Sequence, residues 1–255
     1  MRTVAEIFEK LCEIAPLSLQ LPFDNAGFQL GRSDAAVDCV LLSLDITDEV
    51  VEEALEKKVQ LIISHHPLIW EAPKSITDLD PARIKLLRLL ENSIAVISMH
   101  TNLDIAEGGV NDVLIGLLGA SNEGRFETDG CGRMGRMSTP MPLDLFLSLC
   151  KEKLCANGLR YYDAGKPVDH IAVFGGAGSG SLDEAAANGC DTLVTSDVKY
   201  HVFLHARELK INLIDADHFC TENPVMPVLT QKLRDAFPDC VFRLSERHAQ
   251  TARFF

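Results

Sequence analysis

The chain has 255 residues, a formal net charge of −13, 47% hydrophobic and 24% charged residues. That length can bury one large core or two modest ones, and the balance is that of an ordinary globular protein. The acidic excess argues against a nucleic-acid backbone or an anionic membrane as the main partner, and no apolar run approaches the ~20 residues of a membrane span.

The start, Met1 to Glu6, runs directly into an amphipathic pattern, so no signal peptide is expected. The spacing predicts a helix over 3–14 with Val4, Ile7, Phe8, Leu11 and Ile14 on one face. A Pro/Gly-punctuated loop follows over 16–33 and contains Asp24-Asn25-Ala26-Gly27. Next come strand 38–45, helix 48–58 with Thr47 as its N-cap, and strand 59–64. His65-His66-Pro67 closes that strand; helix 81–91 leads to strand 94–99, which ends at His100. After Thr101-Asn102-Leu103-Asp104, Gly108-Gly109 precede helix 110–118, and residues 121–140 read as glycine-rich and irregular. The second half continues with helix 142–155, strand 168–174, Gly175-Gly176, helix 181–188 and strand 191–195. Helix 199–209, strand 211–215, helix 222–235 and strand 240–244 complete it. Strands alternating with helices predict an α/β fold with largely parallel pairing.

The halves share a faint repeat at a constant offset of 131 residues: Val37-Asp38 with Val168-Asp169, Glu53-Ala54 with Glu184-Ala185, and Leu61–Ser64 with Thr192–Thr195. Chance similarity between two βα units is the competing explanation. The repeat predicts two related lobes, about 1–124 and 125–255, facing each other across a shared site. The eight cysteines include no CxxC pair, and several sit in apolar segments as buried free thiols do. A cytoplasmic protein is expected.

His65 and His66 stand just beyond the carboxyl end of a buried strand, where α/β proteins keep their chemistry. Imidazole is the commonest side-chain metal ligand. Neighbouring residues of a regular strand face opposite ways, so two adjacent ligands need either irregular backbone or two different metals. Asp104, His218 and Glu222 also follow predicted strand ends, and Thr221 is placed to cap a helix starting at Glu222. Singly, each has a plainer explanation: a polar loop, a turn cap, a structural histidine. Together, three imidazoles and two carboxylates suit zinc, iron or manganese rather than calcium. Five protein ligands are too many for one catalytic zinc with an open position, and they suit two ions roughly 3.5–4 Å apart. In a second tier, His100 can orient a metal-bound carboxylate and Asn25 can contact substrate. Lys199 can meet an anionic substrate, and Asp197 or His201 can act as general acid or base. The Gly175–Ser181 run joins a strand to a helix, so its amides could bind a phosphate, although tight turning explains the glycines equally well. Cys220 beside His218 is expected to be buried and apolar.

Asp24-Asn25-Ala26-Gly27, Ser64-His65-His66-Pro67, His100 to Asp104, Gly175 to Ser179, Ser196 to His201 and His218 to Glu222 together resemble, in order, the GTP cyclohydrolase 1 type 2 homologue family, also described as Nif-three-like dinuclear-metal hexameric proteins. The resemblance covers nearly the whole chain. It implies two interlinked, pseudo-repeated α/β lobes with a dimetal site between them, ligated by His65, His66, Asp104, His218 and Glu222, with Glu222 as the bridge. It implies a homohexamer built as a trimer of dimers. The short 121–140 stretch predicts that the mid-chain domain of longer members is lacking. Family members often have glycine where this chain has Asp217, and glycine where it has Ser196. The function implied is a metal-dependent hydrolase acting on a small, nucleotide-like substrate, with GTP suggested by the family name. Metal storage or delivery, an assembly-type binding protein and a phosphodiesterase-like hydrolase are the alternatives.

Overall fold

The computed structural model describes residues 1–126 and 128–253, with 81 and 82 described by backbone alone. Strand β1 (Arg2–Thr3) leads into α1 (Val4–Ile14), which begins in a capping box. The Thr3 side chain accepts from the Glu6 N–H while the Glu6 carboxylate accepts from the Thr3 N–H, satisfying two donors that a helix start leaves over. There follow β2 (Gly27–Leu30), β3 (Ala36–Val37), β4 (Cys39–Ser43), α2 (Asp48–Glu56), β5 (Leu61–Ser64), α3 (Pro81–Glu91), β6 (Ala95–Ser98) and α4 (Thr101–Ile105). Thr47 caps α2 through the Val50 N–H, as its position predicts. The chain continues through α5 (Val110–Leu117), β7 (Gly124–Arg125), β8 (Arg133–Met141), α6 (Leu143–Lys153), β9 (Arg160–Tyr162), β10 (Val168–Val173) and α7 (Leu182–Ala187). It ends with β11 (Thr192–Thr195), α8 (Tyr200–Leu209), β12 (Asn212–Asp215), α9 (His218–Glu222), α10 (Val225–Ala236) and β13 (Val241–Leu244).

Two compact units result, residues 1–106 with 226–249 and residues 107–225 with 250–255. The boundary falls at 106/107, where the sequence pattern had placed it near 124. The reason is packing: α5 lies on β8 and β10 of the second unit, and β13 pairs with β4 of the first. In the first unit the strand order is β13-β4-β5-β6-β2, parallel except for β2. In the second it is β7-β8-β10-β11-β12-β9, with β10, β11 and β12 parallel and the flanking strands antiparallel. The central strands β5, β6 and β11 are buried at every position. Strands covered on both faces read as unbroken apolar runs, which is why the sequence shows them without alternation.

Three departures from the sequence reading have local causes. Gly27–Leu30, taken as loop, pairs antiparallel with β6 around an irregularity between Phe28 and Leu30 that blurs its period. Arg160–Tyr162 is too short to register as a strand and pairs with β12. The stretch 121–140, taken as irregular, holds β7 and most of β8; a Cβ at Gly135 would lie 1.5 Å from the Ser121 carbonyl oxygen, so that glycine serves close backbone approach rather than looseness.

Candidate metal centre

In the first unit three parallel strands end side by side at polar residues. The backbone leaving β5 stays bonded to the segment after β4: the His65 N–H reaches the Ser43 and Leu44 carbonyls at 3.3 and 3.2 Å, and the His66 N–H reaches Leu44 at 2.9 Å. This departure from ladder geometry swings neighbouring side chains to one side. The His65 and His66 ring centroids are 5.0 Å apart, and His100, just past β6, is 5.2 and 5.5 Å from them. Ligand atoms of His65, His66 and His100 all lie within 4.8 Å of one another, so these three imidazoles could hold a metal ion. Asp104, buried on α4, places Oδ1 3.5 Å from His65 Nε2.

Every one of these rings has its Nδ1 held by an oxygen. His65 Nδ1 lies 2.8 Å from the Met99 carbonyl, His66 Nδ1 2.7 Å from Asp45 Oδ1, and His100 Nδ1 2.8 Å from Asp24 Oδ1. Burial pushes the Asp24 carboxyl up, but hydrogen bonds from His100 and Thr101 outweigh it and hold it at about 2. Burial likewise opposes ionisation of Asp45, and hydrogen bonds from His248 and His66 win, leaving it well below the usual carboxylate range. Carbonyls and carboxylates only accept, so Nδ1 is the donor in each pair and Nε2 is the nitrogen left to face a metal ion. That is the arrangement a metal-ligating histidine needs.

In the second unit β12 runs through Asp215 into a left-handed residue, Asp217 (φ +71°), and then α9. The Asp217 side chain accepts from the Cys220 N–H, so Asp217 is the cap. Thr221, expected as the cap of a helix from Glu222, instead sits inside α9 and donates to the Asp217 and His218 carbonyls. The early start puts His218 and Glu222 one turn apart on a single helix, with Nε2 and Oε2 3.0 Å apart. His218 Nδ1 lies 2.7 Å from Asp197 Oδ2, repeating the arrangement seen at the other three rings. Glu222 is almost fully buried, and a Cβ at Gly176 would lie 2.1 Å from its Oε1 and 3.2 Å from His218 Nε2. Only glycine leaves that space.

The glycine loop is therefore built for clearance. Its amides are engaged from inside: Gly175 N–H by Asn111 Oδ1, Gly176 N–H by Thr221 Oγ1 and Gly178 N–H by Thr195 Oγ1. This corrects the phosphate-cradle reading. Asn25 is likewise occupied, donating from Nδ2 to the Ile69 carbonyl. Asp197 serves His218, whereas Lys199 and His201 stand exposed at the start of α8. Cys220 is buried, which pushes its thiol up to about 12 and fits the expected apolar role.

Two residues escaped the sequence reading. Asp45 follows β4 as His66 follows β5, and its Oδ2 also receives His248 Nε2 at 3.1 Å. The strand-end position of Asp45 was a visible signal. For His248, in the irregular C-terminal stretch, the sequence offers none.

The donor set is rich in imidazole with carboxylates beside it, which fits zinc, iron or manganese. A family model described as Duf34/NIF3 (NGG1p interacting factor 3) matches residues 2–251. A Clostridium acetobutylicum protein named GTP cyclohydrolase 1 type 2 homolog is 36% identical over 238 residues, 89% of each chain. The crystal structure of the Staphylococcus aureus hypothetical protein SA1388 superposes with a TM-score of 0.93 at 27% identity, over 99% of both chains. Reduced HcgD from Methanocaldococcus jannaschii gives 0.84 at 27% identity, over 96% of this chain and 98% of that one. With that coverage, and with the strand-end residues in the expected order, the chain belongs to the Duf34/NIF3 family.

Proposed function

We propose that this protein is a metal-dependent hydrolase acting on a small, nucleotide-like substrate. Two divalent ions, zinc, iron or manganese, would be held by His65, His66, Asp104, His218 and Glu222. One observation carries the reading: the three histidines of this set, His65, His66 and His218, all commit Nδ1 to an acceptor, which leaves Nε2 for a metal ion. Bound divalent ions would lower the pKa of water and polarise a carbonyl or phosphoryl oxygen. The protein's own groups do the rest. Asp45 and Asp197 hold the His66 and His218 rings in orientation, and Asp24 does so for His100. His201 would act as proton carrier and Lys199 would contact an anionic substrate. The name shared by the relatives supports a purine nucleotide as the first substrate to try. Family membership also supports a homohexamer; among the described residues no helix is long and apolar enough to cross a membrane.

The test is anaerobic purification, elemental analysis, and incubation of the metal-loaded protein with GTP while formate and phosphate are followed. Turnover that disappears in His65→Ala is expected. Stoichiometric metal without release of either product would favour metal storage or delivery instead.

A further inference from the structure

A cavity of about 530 Å³ opens in the first unit between the loop carrying Phe23 to Ala26, the start of β2, and the loop from Ile69 to Pro73. That size suits a small-molecule ligand. Three aromatic rings stand in its otherwise largely polar walls: Phe23 and Trp70 are 65% and 49% exposed, with ring centroids 6.2 Å apart, and Phe28 lines the same space. Exposing two large rings side by side forgoes the gain from burying them, and such surface commonly marks a ligand site. The shelf is braced rather than loose. Gln29 Nε2 donates to the Asn25 and Ile69 carbonyls, Gln29 Oε1 accepts from the Ile69 N–H, and Asn25 Nδ2 donates to the same Ile69 carbonyl. It also adjoins the histidine cluster, because the Trp70 ring sits edge-to-face with His100 at 5.5 Å and Asp24, which orients His100, lines the cavity.

We propose that this cavity is the recognition subsite for the planar heteroaromatic ring of the substrate, stacked on Phe23 and Trp70 beside His100. The inference rests on the hydrolase reading and narrows it to ring-bearing substrates. Aromatic faces stack any planar π-system, and the exposed Phe23 and Trp70 rings offer such faces, so the ring end of the substrate belongs here.

Trp70 is the only tryptophan in the chain, so its fluorescence reports this cavity alone. The experiment titrates metal-stripped full-length protein with GMP and, separately, with ribose 5-phosphate. Saturable quenching by GMP and none by ribose 5-phosphate is expected. Phe23→Ala, which keeps the fluorophore, should weaken GMP about ten-fold. By calorimetry Trp70→Phe should retain affinity and Trp70→Ala should lose it. Absence of GMP quenching, equal quenching by ribose 5-phosphate, or unchanged GMP affinity in Phe23→Ala would overturn the proposal. So would Phe23→Ala dissociating an assembly while GMP binding persists, since the rings would then serve a contact between copies. Because metal is absent from the assay, ring binding without turnover of the metal-loaded protein would sink the hydrolase reading alone. Metal-dependent turnover without ring binding would sink the subsite alone.

Discussion

At the carboxyl end of β5 the first unit carries His65 and His66; at the matching end of β11, 131 residues on, the second carries Ser196 and Asp197. The third strand of each set, β6 or β12, runs into a five-residue helix bearing a buried carboxylate, Asp104 on α4 and Glu222 on α9. The scaffolds correspond, but the chemistry is divided. The first unit puts imidazoles on strand ends and recruits Asp45 and Asp24 to orient them. In the second the strand-end aspartate takes the orienting part, and the imidazole has moved onto the short helix. A repeated βαβ frame thus fixes where polar groups emerge while leaving open which are donors and which are supports.

Metal content is the sharpest way to break that comparison. His65→Ala and Glu222→Ala are each expected to lose bound metal by elemental analysis, with the circular dichroism spectrum preserved. If only His65→Ala loses metal, the second unit has no share in the centre. Gly176→Ala should act like Glu222→Ala, because the added methyl occupies the space of Oε1 at a backbone angle that disfavours side chains. The orienting carboxylates come next. Asp45→Ala and Asp197→Ala should each weaken metal binding about 10- to 100-fold, read by competition with a chelator. Equal losses would show the two units using the same device; a loss in one alone would show that its counterpart is structural.

The units also differ in how they are closed. The first depends on the C-terminal stretch, anchored where buried Glu53 accepts from Ser245 Oγ and from the Glu246 and Arg247 N–H groups, with Lys57 Nζ at 2.6 Å. Burial pushes the Glu53 carboxyl up, but Lys57, Ser245 and those amides prevail and hold it at about 2, below its ordinary 4.5. Its contribution is therefore complete above the ordinary value and fades as pH falls toward the lowered one. Glu53→Gln should cost roughly 2 kcal/mol by denaturant unfolding near pH 7, and the gap from wild type should narrow below pH 4.5 and close only at or below about pH 2. A gap that persists in acid would locate the effect outside the charge. The smallest effect is expected at Asp217, whose backbone lies in the left-handed region that favours glycine. Asp217→Ala should cost about 1–2 kcal/mol through lost capping and strain, and Asp217→Gly a few tenths. Thermal unfolding in metal-free buffer separates the two.

Much of this was legible in the chain. Unbroken apolar runs marked the buried parallel strands, and His65-His66, His100 and Asp104 stood at strand ends because α/β units expose polar residues there. The offset of 131 aligned Leu61–Ser64 with Thr192–Thr195, which are β5 and β11 residue for residue. Local pattern failed where a contact partner is remote. The length of α9 hinged on Asp217 capping in place of Thr221. The glycine loop looked like an anion cradle until Asn111, Thr195 and Thr221 claimed its amides.

The sequence by itself determined the α/β alternation, the strand ends and the residue types waiting at them, since these follow from periodicity and turn chemistry within a few residues. Only the tertiary structure decided that β13 closes the first sheet, that Asp45 joins His66 to His248, and that Gly176 makes room for Glu222. Those outcomes depend on groups meeting across 21 to 203 positions of chain, a separation at which no local pattern constrains distance.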